Sequence, residues 1–203
     1  MATPTIGNTA SYTTTGTKSF TNNGDTLVVC IQIWGTPGAA PTYNGVSMTL
    51  KANSGNSALI YVLDTAPQGT YNLVYSASPA LIKWGVMSVV DADASDAVRA
   101  SAAAVAMSVN VNSQAGDLVI DSACLIKGGT SPGAYLTVGS GQAQKWNQTQ
   151  TGSGGSMGGG ASTKAATSSS TNMYWTPSGS GYYEDIAAIS IKPKGGFLPI
   201  IWL

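Results

Sequence analysis

The sequence predicts an all-β protein, a jelly-roll-like β-sandwich built from two duplicated halves, with an extended N-terminal arm and a C-terminal tail. Three observations carry this. The chain has 203 residues, of which 25 are glycine, 24 serine and 22 threonine, so about a third are small, turn-forming or tolerant of strands. Apolar runs of five to ten residues recur between turn signals, the spacing of a sandwich. A set of segments also reappears in the same order roughly 100 residues later.

Taken in order, residues 1–23 are rich in Thr, Asn, Ser and Gly, with Ile6, Tyr12 and Phe20 as isolated apolar points, and read as an arm or edge strand. Leu27 to Trp34 is an apolar run with Gln32 inside it, bounded by Gly24-Asp25 and by Gly35-Thr36-Pro37-Gly38, hence a mostly buried strand. Asn44-Gly45 between Tyr43 and Val46 marks a hairpin, because both residues tolerate positive φ. Val46, Met48 and Leu50 then alternate with polar neighbours. Further strands fit Ala58 to Leu63, Tyr71 to Tyr75 and Ala80 to Val90.

Residues 91–104 carry three aspartates, an arginine and many alanines. Alanine favours a helix over Ala97 to Ala106, yet Val105, Met107, Val109 and Val111 alternate with small or polar residues. The period predicts a strand, with at most a short helical turn before Ala104.

The repeat pairs Gly24-Asp25-Thr26-Leu27-Val28-Val29-Cys30 with Gly116-Asp117-Leu118-Val119-Ile120-Asp121-Ser122. It pairs Tyr71–Tyr75 with Thr171–Trp175, and Trp84–Val89 with Ile186–Ile191. The second copy is about ten residues longer, and the Gly/Ser/Thr-rich stretch Gln148 to Ser170 is the place for them. The halves, about 24–90 and 105–191, would close over one core within a single domain of residues 24–193. In this match Asp121 falls on Val29. An inward Asp121 is costly unless paired, so either its strand is shifted by one residue or the position is partly exposed.

Only 9% of residues are charged and the formal net charge is zero, which excludes the basic patch that nucleic acid or an anionic membrane requires. Residues 2–5 show no secretory pattern, and the longest apolar tail has seven residues, so no membrane span is expected. Cys30 and Cys124 read as buried thiols.

Histidine is absent, and the adjacent Glu184 and Asp185 would face opposite sides of a strand, in a loop or strand-edge role. Gly139-Ser140-Gly141 and Gly158-Gly159-Gly160 lack the lysine and context of a phosphate loop and read as turns or side-chain-poor strands. These features predict no enzyme and no cofactor. Of Asp91, Asp93 and Asp96, the first two form with Ser95 the 1, 3, 5 spacing of the start of a calcium loop, but without its glycine at position six, and Ala102 stands where the glutamate belongs. A solvated connection between the halves is the expectation, with the three aspartates as the candidate ligands.

Trp34, Trp84 and Trp175 lie in apolar strands and read as core. Trp146, beside the Gly/Ser-rich stretch, and Tyr182 and Tyr183 are left as core, interface or glycan-stacking residues. After Lys192-Pro193-Lys194, the residues Phe197, Leu198, Pro199, Ile200, Ile201, Trp202 and Leu203 are all apolar. Such a segment must dock, either on its own sandwich or in an apolar groove of a neighbouring subunit.

Gly116–Asp121, Gly141-Gln142, Ser162–Lys164, Thr171–Thr176 and Ala187–Pro193, with Tyr43–Val46 upstream, resemble a β-sandwich module of bacteriophage virion proteins and bacterial surface proteins. The likeness covers roughly residues 20–193, rests on strands and turns, and transfers no site residue. It implies assembly or adhesion. The expected function is a virion structural protein assembled in the host cytoplasm, first a capsid decoration or cement protein whose arm and tail bind other virion proteins such as the major capsid protein. A receptor- or carbohydrate-binding tail fibre or adhesin head is the alternative. Analogy with such parts implies a homo-oligomer, commonly a trimer.

Overall fold

The computed structural model describes residues 2–129, 133–178 and 183–195, and these contain strands and no helix. The strands form antiparallel sheets in two groups. In the first group, β1 (Thr5–Tyr12), β9 (Leu81–Val90), β3 (Thr26–Trp34), β7 (Ala58–Leu63) and β6 (Thr49–Ser54) make a five-stranded sheet in that order. A four-stranded sheet pairs β2 (Gly16–Asn22), β8 (Gly69–Tyr75), β4 (Thr42–Tyr43) and β5 (Val46–Ser47).

In the second group, β10 (Val98–Ala104), β17 (Tyr183–Ile191), β12 (Leu118–Gly128), β15 (Gly155–Ala165) and β14 (Ala143–Gly152) make the other five-stranded sheet. A three-stranded sheet pairs β11 (Ser108–Asn112), β16 (Ser170–Pro177) and β13 (Leu136–Val138). With β10 set against β1, β17 against β9, β12 against β3, β15 against β7 and β14 against β6, the two five-stranded orders coincide. A backbone contact coincides too: Ala66 donates to the Asp25 carbonyl at 3.0 Å, and Ala166 to the Asp117 carbonyl at 2.9 Å.

Side-chain alternation along the central strands builds four layers around three apolar clusters. Leu27, Val29, Ile31 and Ile33 of β3 point toward the four-stranded sheet, meeting Phe20, Tyr43, Leu73 and Tyr75. Val28 and Cys30 point the other way, toward Ile120, Cys124 and Ile126 of β12. Val119, Ala123 and Leu125 face the three-stranded sheet, with Met173 and Trp175. The single core expected from the sequence is thus divided. Each five-stranded sheet is covered on both faces, which is why β3, β7, β9, β12 and β15 are buried almost throughout.

Several elements fall where the sequence places them. Asn44 (φ 51°) and Gly45 (φ 77°) form the two-residue turn between β4 and β5. Met48 is buried, but Val46 and Leu50 are exposed. Residues 1–23 include the edge strands β1 and β2. The strand expected from the alternation at Val105–Val111 is β11, beginning at Ser108, whereas the alanine-rich segment before it, where the sequence allows a helical turn, is strand β10, held on β17 from Val98 to Ala104. The stretch Gln148 to Ser170 contributes to long strands: β14 and β15 have ten and eleven residues, where β6 and β7 have six each. Phe197, Leu198, Ile200, Ile201, Trp202, Leu203 and Tyr182 lie outside the described residues.

Candidate functional site

A group of adjoining recesses lies at one end of the seam between the five-stranded sheets. β3 ends there at Trp34, β12 ends at Ile126–Gly128 and β17 begins at Tyr183. A recess of about 270 Å³ is lined by Trp34, Ile126, Gly128 and Tyr183. A second, of about 250 Å³, adds Gly35, Gly55 and Ser57 to Trp34 and Tyr183. A third, also about 250 Å³, runs from Trp34 over Ala80 and Leu81 to Gly152–Gly154. All three meet at the indole of Trp34, and the tyrosine ring is open to solvent, Tyr183 being 56% exposed. The glycines leave room around the indole: a Cβ on Gly154 would sit 3.6 Å from its Cη2.

Polar groups lie beneath this groove and along the seam. Asp185, 1% exposed, accepts a 2.8 Å hydrogen bond from Ser54 Oγ across the seam, and burial raises its carboxyl pKa against the pull of Ser54 and Ser57. The loop or strand-edge role expected for the Glu184-Asp185 pair therefore fails for Asp185, which occupies a central strand on its buried face. Gln32 donates from Nε2 to Ser122 Oγ at 2.7 Å, and Trp146 Nε1 donates to Gln32 Oε1 at 3.5 Å. Lys83, 4% exposed, lies in the same seam, where desolvation holds its ammonium pKa below the ordinary lysine value.

Trp146 is 5% exposed, its ring lying over Gly85 within the seam. A glycan cannot stack on it there, so of the proposed glycan contacts Tyr183 is the one the described surface presents. Trp34, read from the sequence as core, is the half-buried aromatic beside it. The signal for Trp34 was its position, the last residue of an apolar run immediately before Gly35-Thr36-Pro37-Gly38.

The side chains of Asp93 and Asp96, and the backbone of Asp91, are held by the chain's own groups. Asp93 Oδ1 accepts from Ser95 Oγ at 2.7 Å and from its backbone N–H at 3.1 Å, which with Lys192 holds its carboxyl below the usual range. Asp96 Oδ2 accepts from Lys192 Nζ at 2.7 Å. The Asp91 N–H donates to Asp25 Oδ2 at 3.0 Å. Among the described residues, no three His, Cys, Asp or Glu side chains are grouped to hold a metal ion.

The two remaining buried carboxylates support the second group of strands. Asp121 neither shifts register nor reaches solvent: β12 pairs Asp121 with Ser162 and Ala188, and its side chain takes the inward face that Val29 takes in β3. It accepts hydrogen bonds from Ser162 N (2.7 Å), Ser162 Oγ (3.0 Å), Gln142 Nε2 (3.2 Å) and Trp175 Nε1 (2.9 Å). Asp117 takes Arg99 Nε at 2.6 Å and Ser190 Oγ at 2.8 Å.

Compared with protein-family models, characterised proteins and solved structures, the chain matches none. Its class therefore rests on the fold, an all-β protein of several antiparallel sheets with an aromatic groove at the seam between its two groups of strands.

Proposed function

We propose that the chain is a structural component of a bacteriophage particle, a decoration or cement protein assembled in the host cytoplasm and attached through the apolar segment Phe197–Leu203. The finer architecture belongs to the same proposal: a jelly-roll-like sandwich enlarged by duplication, supported by the coincident strand orders. The observation that carries the reading is how the chain is held just before that segment. Pro193 bridges Ala92, Lys192 N donates to the Ala97 carbonyl at 2.8 Å, and Lys194 N donates to the Asp91 carbonyl at 2.7 Å. Seven consecutive apolar residues thus follow from a point fixed to the sheets, and an apolar run of that length in the sequence favours a partner surface. The test is deletion of residues 197–203. The deleted chain should keep its far-ultraviolet circular dichroism spectrum and disappear from purified particles; unchanged incorporation would refute the attachment.

The exposed ring of Tyr183 beside Trp34 favours a second reading, a carbohydrate-binding fibre or adhesin head. Selective binding on a glycan array, abolished by Tyr183→Ala, would support it.

A further inference from the structure

Lys194, after which the apolar segment follows, and the groove at Trp34 lie at opposite ends of β3, and we infer that Phe197–Leu203 of one copy docks in the Trp34–Tyr183 groove of a second copy. The inference rests on the assembly reading and names its first partner.

The argument is one of reach. Lys194 is fastened at the start of β3, its ammonium 3.8 Å from Asp25 Oδ1 and its N–H on the Asp91 carbonyl. From Asp25, β3 runs nine residues to Trp34 at ~3.3 Å each, placing the groove about 30 Å away. Ile200, the middle of the apolar segment, lies five residues beyond Gly195 and extends at most ~18 Å from it. The segment as a whole therefore cannot fill its own groove, since its middle falls about 10 Å short and only its last residues, up to ~29 Å from Gly195, come into range, whereas the groove of another copy carries no such limit.

The chemistry matches. Trp34, Ile126, Leu81 and Tyr183 offer apolar and aromatic surface, with glycines at positions 35, 55, 128 and 154 letting a backbone approach closely. The segment brings Phe197 and Trp202, aromatic anchors of the kind that dominate interface energies. A contact between unlike surfaces is head-to-tail, so it closes into a ring, a trimer included, or continues as a filament.

The test is sedimentation velocity of the full chain over a range of concentrations, with two variants. Gly154→Glu places a carboxylate at the groove from a position where a Cβ has space; the other variant lacks residues 197–203. The parent chain should associate with concentration, and each variant alone should sediment as a monomer. Their equimolar mixture should form a dimer and stop there, because one variant supplies the groove and the other the segment. A parent chain that stays monomeric, a Gly154→Glu chain that associates like the parent, or a mixture that stays monomeric would each overturn the contact. If particles lose the deleted chain yet take up Gly154→Glu normally, the segment has a different partner, and the head-to-tail contact fails while the assembly reading stands.

Discussion

The indole of Trp175 donates from Nε1 to Oδ2 of Asp121 across 2.9 Å, joining β16 to β12 inside the outer core of the second group of strands. The corresponding place in β3 belongs to Val29, surrounded by apolar side chains. Replacing Asp121 with valine should therefore not reproduce the apolar setting of Val29. It strands the Trp175 N–H and the Ser162 N–H without acceptors in a closed core, a loss of about 2–4 kcal/mol. Trp175→Phe in the same assay should show coupling to Asp121 of about 1 kcal/mol in a double-mutant cycle, read from urea unfolding.

Asp121 also sets a pH dependence. Burial pushes its carboxyl up to about 7, although Trp175 and Ser162 stabilise the charged form. Between about 4, where the unfolded side chain titrates, and 7, the folded protein holds a proton that the unfolded chain has released. Its contribution to stability is therefore greatest below pH 4, falls as pH rises through that window and changes no further above it. The urea midpoint should be lower at pH 7.5 than at pH 5.5. Asp121→Asn, though less stable overall, should flatten that slope; an unchanged slope would assign the titration elsewhere.

Much of this architecture is legible in the sequence, and the failures share a cause. Leu27–Trp34, Ala58–Leu63 and Asn44-Gly45 announce themselves because their local signals agree with their tertiary setting. Residues 98–104 do not, since alanine propensity favours helix and only pairing with β17 makes them strand. Within Gln148 to Ser170, Gly158-Gly159-Gly160 fit turns as well as side-chain-poor strands, and only the residues that crowd them make them strand β15. Asp185 looks peripheral, and Trp146 is left open between core and surface, for the same reason: one sequence does not show that a second sheet lies across them. The groove is hidden for a related reason, since Trp34, Ile126 and Tyr183 are distant in the chain and meet only at the seam.

The three glycines of β15 make that crowding measurable. A Cβ on Gly159 would come within 2.9 Å of Lys83 Cβ and 3.1 Å of Gln32 Cβ, both from the facing sheet. Gly160 meets the Trp175 ring at 2.7 Å. Gly159→Ala should cost about 1–3 kcal/mol by forcing the two five-stranded sheets apart, the reverse of the stabilisation alanine usually brings to a strand. Thermal unfolding checks this, with exposed Gly141→Ala as a control for backbone strain, its φ being 75°.

Cys30 and Cys124 are free, fully buried and on the seam. Burial raises both thiol pKa values, reinforced by Asp121 for Cys30 and by Asp185 for Cys124. Since the thiolate is the reactive form, neither should react with an aromatic disulfide reagent in the native state. Two thiols per chain should appear in urea, at a rate set by unfolding. Prompt labelling of the native protein would show that the seam opens.

The two Gly-Asp pairs of the repeat use their carboxylates differently, and that difference supplies a last comparison. Asp117, its side chain fully buried, gathers Arg99 Nε and Nη2, Ser190 Oγ and the Gln114 N–H, and these partners hold its carboxyl below the usual range despite desolvation. Its stabilising contribution is present above about pH 4 and is lost as pH falls through the depressed pKa, opposite in sign to that of Asp121. Asp25, with a side chain 22% exposed, holds the Asp91 N–H and lies 3.8 Å from Lys194. Asp117→Ala leaves an arginine and several donors without their acceptor and should cost about 2–4 kcal/mol. Asp25→Ala should cost no more than about 1 kcal/mol, because its ion pair is long, at 3.8 Å, with a largely exposed lysine. The second variant nevertheless loosens the clamp on Lys194 from which the apolar segment departs. Asp25→Ala should therefore weaken self-association more than it weakens folding, and Asp117→Ala should do the reverse, a crossing of effects that sedimentation and urea unfolding on the same samples resolve.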